Sequence, residues 1–309
     1  MKSPVVSIII PCFNGEKFVG EAIQSALDQT YPHKEVIVID DGSTDDSLGV
    51  IKSFGDCIHW ETGPNRGGCA ARNRGVELAK GEFIQFLDAD DILYPQKIER
   101  QLAVMEGLSE TLVFCDAESD SVPHPHHVRK DSTDDPVIFM LRGGLQTSAP
   151  LHRRDWLNEV SGFREDLPCS QERDLHLRIA ALGVRFQRLP EVLYLVRRRP
   201  ESVSSNFEKV VDQFSGIAWP IYHELEESGH LTELRRREFA AFLARAARAY
   251  VRLGRHDTAQ DHFQQARQMH PEGGREGAYG STTRLLLNLL GTTKTEWLME
   301  MKRKLISKW

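Results

Sequence analysis

The sequence predicts a doubly wound, mostly parallel α/β sheet followed by a C-terminal helical appendage, and three observations carry that prediction. Short apolar runs alternate with amphipathic segments up to about residue 206. Polar, acid-bearing loops stand where several of those runs end. From about Phe207 the strand-like runs stop, and Ala- and Leu-rich helical spacing replaces them. Alternation of this kind is how a parallel sheet with crossover helices reads in one dimension.

The elements follow in order. Val5–Ile10 is a continuous β-branched run ending at Pro11, as in a strand buried on both faces. Glu16–Gln29 has apolar residues at helical spacing. Glu35–Ile39 is a second strand, and 45–54 a second helix, with Ser43 or Thr44 as its expected cap. Gly67–Ala79 is a third helix, Glu82–Leu87 a strand, and Pro95 opens a helix to about Glu106. Thr111–Cys115 is a strand, and 116–137 reads as a long surface loop. Arg153–Glu159 and Gln171–Leu182 are helical, Val184–Arg188 and Val192–Val196 strand-like, and Arg197–Asn206 a polar loop. Two domains are expected, 1–206 and 207–309. In the second, Phe239–Gly254 and Asp257–His270 read as a hairpin resembling one tetratricopeptide unit, though a solenoid needs about three. Thr282–Trp309 suits a core-packing terminal helix, or one that touches a membrane surface.

Composition narrows the function classes. The 309 residues are 40% hydrophobic and 27% charged, which excludes disordered and low-complexity classes. Net charge is −6, so no nucleic-acid partner is expected. Five scattered cysteines without C-x-x-C spacing point to free thiols in a reducing compartment. With no charged-then-apolar leader and no apolar stretch of spanning length, a cytoplasmic protein is expected.

In an open parallel sheet, ligands bind beyond the carboxyl ends of the strands. Three predicted strands run out there into Pro11-Cys-Phe-Asn-Gly15, Asp40-Asp-Gly-Ser43 and Asp88-Ala-Asp-Asp91. Three acids closing an apolar strand repel one another, and a hard divalent cation resolves that conflict. The alternative is that Asp90 or Asp91 caps the helix that follows. His124-Pro-His-His127 could ligate a transition metal but lacks a regular secondary-structure frame, so it reads as a disordered loop or one that faces a bound ligand.

Five segments together resemble the inverting family 2 glycosyltransferases, whose catalytic domain has the GT-A fold. They are Ser7-Ile-Ile-Ile-Pro-Cys-Phe-Asn-Gly15, Val38-Ile-Asp-Asp-Gly-Ser-Thr-Asp45, Asn65-Arg-Gly-Gly-Cys-Ala-Ala-Arg-Asn-Arg-Gly75, Phe86-Leu-Asp-Ala-Asp-Asp91 and Gln171-Glu-Arg-Asp-Leu-His-Leu-Arg178. The resemblance spans about residues 4–206. It implies a nucleotide-sugar donor, a saccharide or lipid-linked acceptor, and a role in cell-surface polysaccharide or glycolipid assembly. It also implies that Pro11, Asn14 and Asp41 hold the nucleobase, Asp88 faces the ribose and Asp90 binds Mg²⁺ or Mn²⁺. Arg72 and Asn73 are placed near the nucleotide, with a salt-bridged helix face as the alternative. The family's base lies in a Glu-Asp pair, which here is Gln171-Glu172; Glu172 is therefore the expected base and Asp174 the fallback. Asp174 is also placed to pair with Arg178, four residues on. Arg197-Arg-Arg199 offers guanidinium forks to a diphosphate, or forms a solvated basic loop. Two rival readings are a sugar nucleotidyltransferase and a scaffold with a decayed catalytic domain.

Overall fold

The computed structural model describes residues 3–120, 122–126, 134–197 and 207–271. The chain divides into two compact units, residues 1–202 and 203–309.

The first unit is built on one mixed sheet. Its strands are β1 (Val6–Cys12), β2 (Lys34–Asp40), β3 (His59–Thr62), β4 (Phe83–Phe86), β5 (Ile92–Leu93), β6 (Thr111–Ser119), β7 (Val122–His126), β8 (Pro150–Arg153) and β9 (Arg185–Val196). Their order is β3-β2-β1-β4-β8-β6-β9-β5, with β7 beside β6. β2, β1 and β4 run parallel, as the alternation predicts, and β3 joins them parallel to β2. Beyond β4 the sheet changes character, because β8 pairs antiparallel with both β4 and β6. β6 and β9 are again parallel.

The crossovers between the parallel strands are α1 (Val19–Leu27), α2 (Ser47–Lys52) and α3 (Gly68–Leu78), and α4 (Lys97–Met105) leads into β6. β1 is buried on both faces because helices flank it, which is why its sequence is a solid β-branched run. α3 lies close on it: a Cβ built on Gly75 falls 2.3 Å from Ile9 Cγ2. The rest of the unit carries α5 (Pro136–Arg142), α6 (Arg154–Glu159) and α7 (Gln171–Ala181). The buried imidazoles of His152 on β8 and His176 on α7 stack, with Nε2 atoms 3.0 Å apart. Burial holds both neutral, pushing His152 down to about 3.

Several expectations change. The segment 116–137 is not one loop: β6 continues to Ser119, β7 follows it, and α5 begins at Pro136. Backbone pairing from Thr111↔Arg185 to Ser119↔Val196 carries β6 past its apolar core. α5 is capped by the Asp135 carboxylate, which accepts from the Val137 and Ile138 N–H groups. The two strand-like runs at 184–196 form one strand, β9. Ser43 and Thr44 do not cap α2, which begins at Ser47, because both are engaged by the β1 loop. The sequence reading also missed β3 and β8.

The second unit contains α8 (Phe207–Asp212), α9 (Phe214–Glu227), α10 (Glu233–Arg252) and α11 (His256–Met269). α10 and α11 form the expected hairpin, turning at Gly254 with φ +76°. Tyr250, Ala246 and Ala249 of α10 bury against Val211 and Ala259, and the Tyr250 hydroxyl donates to Asp212 at 2.6 Å. The terminal helix expected at Thr282–Trp309 lies outside the described residues, as do Arg198–Asn206 and His127. No helix among the described residues is long and apolar enough to cross a membrane. All five cysteines are free thiols.

Candidate active site

The carboxyl ends of β1, β2 and β4 bring the three polar loops to one edge of the sheet, and the loops hold one another. The Asn14 N–H donates to Ser43 Oγ at 2.9 Å, and Asn14 Oδ1 accepts from the Thr44 N–H at 2.8 Å. Asn14 itself has φ +50°, a left-handed turn residue that this side-chain bonding tolerates. Pro11, the penultimate residue of β1, is half-buried, and Phe13, just past the strand, is 51% exposed.

Asp41 is buried and joins the second loop to a third. One carboxylate oxygen accepts from the Arg66 N–H at 2.8 Å, the other from the Gly67 N–H at 2.8 Å. The approach is tight: a Cβ on Gly42, where φ is +75°, would stand 2.7 Å from the Asn65 nitrogen. Gly67 then leads into α3, one turn ahead of Arg72 and Asn73.

Arg72 pairs with Asp88 at 2.6 Å, its side chain only 11% exposed. Its guanidinium also covers the Phe163 ring at 5.4 Å, and its buried Nε has no hydrogen-bond partner. Asp88 and Asp90 are half-buried, whereas Asp91 is buried. Burial and the charges of Asp88 and Asp90 push the Asp91 carboxyl well above the usual range. Asp91 accepts from Ser148 Oγ at 3.3 Å and from the Arg197 N–H at 3.2 Å. Neither Asp90 nor Asp91 caps α4, which starts at Lys97 after an uncapped Gln96. Among the described residues, no three His, Cys, Asp or Glu side chains cluster as a ready-made metal cage.

Glu172 and Asp174 sit in the first turn of α7. Burial raises the Glu172 carboxyl, and the charges of Arg72 and Arg173 oppose that rise. Asp174 faces inward with its side chain 2% exposed, pairing with Arg178 at 2.6 Å as the spacing predicts. Arg164 stands 3.6 Å from its other oxygen. Asn73 does not turn toward the loops of β1 and β2; it bonds the backbone of Phe163. Arg197 is spoken for: it pairs with Glu21, packs over the Phe18 ring at 5.3 Å and reaches the Asp90 carbonyl. Sequence reasoning missed Ser148 altogether. It lies in a polar turn before β8, and nothing local marks it as a partner of a motif 57 residues upstream.

A half-parallel, half-mixed sheet with acid-bearing loops on one edge is the GT-A fold. Residues 7–155 match the model of glycosyl transferase family 2. An uncharacterized glycosyltransferase of Rickettsia prowazekii, RP339, is 42% identical over 228 residues, covering 70% of this chain and 72% of its own. Staphylococcus aureus TarS residues 1–349, solved with UDP-GlcNAc, superposes with a TM-score of 0.62 at 18% identity, over 85% of this chain and 92% of that one. The Pyrobaculum calidifontis mannosyltransferase PcManGT, solved with GDP-Man and Mn²⁺, gives 0.56 at 18% identity, over 94% and 88%. The chain belongs to glycosyl transferase family 2. It spans 39% of the length of its Rickettsia felis relative and 27% of the Rickettsia bellii one.

Proposed function

We propose that this chain is a metal-dependent, inverting glycosyltransferase. It moves a sugar from a nucleoside-diphosphate donor to a hydroxyl of a saccharide or lipid-linked acceptor. The setting is cell-surface polysaccharide or glycolipid assembly at the cytoplasmic face of a membrane. The observation that carries the reading is the position of Arg72, which pairs with Asp88 and whose charge also reaches Glu172, opposing the rise that burial imposes on that carboxyl. Groups from the loop after β4, from α3 and from α7 thereby share one electrostatic neighbourhood.

The residues divide the work as follows. Pro11 and Asn14 shape the nucleoside loop, and the exposed Phe13 ring offers a stacking face for a base. Asp41 has spent one lone pair of each oxygen on backbone N–H groups and keeps the others for a base N–H. Asp88, held by Arg72, faces the ribose. Asp90 is the ligand for Mg²⁺ or Mn²⁺. The acidic cluster fits such an ion: burial and the charges of Asp88 and Asp90 raise the Asp91 carboxyl well above the usual range, even with Arg72 paired to Asp88. A single carboxylate also suits Mg²⁺, which draws most of its ligands from phosphate and water. An ion held by Asp90 would supply positive charge against that developing on the departing diphosphate.

Inversion in one displacement requires a base for the acceptor hydroxyl. Glu172 serves: burial raises its proton affinity toward the range where a carboxylate removes a proton effectively. Asp174 does not share that role, because its oxygens are committed to Arg178 and Arg164.

The test is a donor panel of UDP-, GDP- and TDP-linked sugars with Mn²⁺ or Mg²⁺, scoring release of the nucleoside diphosphate. Glu172→Gln is expected to bind donor normally and lose about 10²–10⁴-fold in transfer. Asp90→Asn is expected to lose metal-dependent donor binding. Full transfer by the first variant, or intact metal-dependent binding by the second, removes the corresponding assignment. Nucleotide release that needs pyrophosphate rather than an acceptor would indicate a nucleotidyltransferase, and silence across the panel a scaffold.

A further inference from the structure

We infer that Asn73 is a positioning residue: its side-chain amide pins segment 161–170 to α3 and so sets where Glu172 stands. This rests on Glu172 being the base.

Asn73 Nδ2 donates to the Phe163 carbonyl at 2.9 Å, and its Oδ1 accepts from the Phe163 N–H at 2.8 Å. One carboxamide thus satisfies both backbone groups of a residue 90 positions away. Its second N–H goes to Glu165 Oε1 at 3.1 Å. An amide has two donors and one acceptor oxygen, so only one lone pair remains for a ligand. The geometry favours holding the protein over touching a nucleotide.

The pinned segment is strained. Ser161 and Ser170 have left-handed φ of +58° and +60°, which a serine side chain disfavours, whereas Gly162 takes its +67° freely. Such conformations persist where surrounding contacts over-determine them. Here the contacts come from two sides. Asn73 grips from α3. From α7, Arg178 donates to the carbonyls of Val160 and Gly162, the latter at 2.8 Å, while Asp174 holds its guanidinium. The Phe163 ring in turn lies under Arg72, the partner of Asp88. α7 starts at Gln171, directly after Ser170, leaving one residue between the pinned segment and Glu172. A shift of the segment therefore moves the carboxylate, and displacements near 1 Å cost about 10²-fold in reactions that depend on alignment.

The experiment compares Asn73→Ala, Glu172→Gln and the double variant, using UDP-, GDP- and TDP-linked sugars with Mn²⁺. Asn73→Ala is expected to lower kcat about 10- to 100-fold with donor KM within about twofold. Added to Glu172→Gln, it should cost nothing further, because it acts through that residue. A wild-type kcat, a loss confined to donor KM, or losses that multiply in the double variant would overturn the proposal. Hydrogen exchange is independent of turnover: amides 160–172 should exchange faster in Asn73→Ala while those of β1 and β4 keep their protection. Unchanged exchange at 160–172 would also overturn it. Full transfer by Glu172→Gln alone sinks the base assignment instead and leaves the exchange measurement to judge the clamp. Should Asn73→Ala fail to fold, Gly162→Ala attacks the same contact from the loop, since its Cβ would fall 2.5 Å from Asn73 Oδ1. It should show the same kcat loss and exchange pattern, and their absence would count equally against the clamp.

Discussion

Lys97 lies wholly buried in the first unit, donating to Gln85 Oε1 at 2.5 Å, Gln101 Oε1 at 2.6 Å and the Ala149 carbonyl at 3.3 Å. All three acceptors are neutral, so burial dominates and pulls its pKa down to about 8. Between about pH 8 and its usual value of 10.5, the unfolded chain therefore holds a proton that the folded chain has released. The unfolded state binds more protons there, so this group's contribution makes stability rise with pH across that window. The rise amounts to at most about 3 kcal/mol. Urea titrations at pH 7.5 and 10 should show a larger alkaline gain for the natural protein than for Lys97→Met. An equal gain would mean that Lys97 stays charged in the core. Arg72 meets a related problem differently. It is buried beside a carboxylate and keeps its charge, which it uses on Asp88 and Glu172 alike. The family resemblance marked Arg72, Asp88 and Glu172 as candidates, but their sharing of a field required coordinates, since they come from three separate segments of the chain.

At the scale of elements, α3 governs the site. Its N-terminal approach is tied to Asp41, its middle turn carries Arg72 and Asn73, and its last turn rests on β1 through Gly75. Gly75→Ala puts a methyl group 2.3 Å from Ile9 Cγ2, the branch of a fully buried side chain that has no room to retreat. We expect a loss of about 1–3 kcal/mol in stability, as for other overpacked cores. Transfer activity should fall further than that figure explains, because lifting α3 moves Arg72 and Asn73 together. Denaturant melts beside activity assays test this; unchanged stability would mean that α3 can slide on β1. The elements that escaped the sequence reading have physical reasons to do so. β3 is a partly exposed edge strand, His59–Thr62, with a polar face and no apolar run. β8 is four residues long and bracketed by a turn and a helix, too short for any periodicity to register. α5 did carry a signal, Asp135-Pro136 before a solid apolar stretch, which the surrounding His, Pro and Ser residues obscured.

Across the whole molecule, the division into residues 1–202 and 203–309 separates the candidate active site from a purely helical unit, as far as residues are described. All the groups assigned to donor, metal and base lie in the first unit. A chain shortened to residues 1–206 is therefore expected to fold and to bind UDP, GDP or TDP with Mn²⁺. Binding raises apparent stability by RT ln(1 + [L]/Kd), about 2.7 kcal/mol at a hundredfold excess over Kd. A cooperative melt that shifts upward with one nucleotide and Mn²⁺, and returns with EDTA, is the expected result. Aggregation of the shortened chain would show that the helical unit is needed for the first to fold.

By itself, the sequence determined β1, β2 and β4 of the parallel half of the sheet, the helices between them and the loops where acids gather. These follow from local periodicity, from glycine and proline punctuation, and from charges placed directly after apolar runs. Tertiary structure alone decided what each polar side chain does on arrival. Asn73 turned to Phe163, Ser148 reached Asp91, and Arg197 pairs with Glu21. Each of those choices joins residues dozens of positions apart. Hydrogen-bonding partners at such separations are set by the packing of whole elements, and no local pattern encodes them.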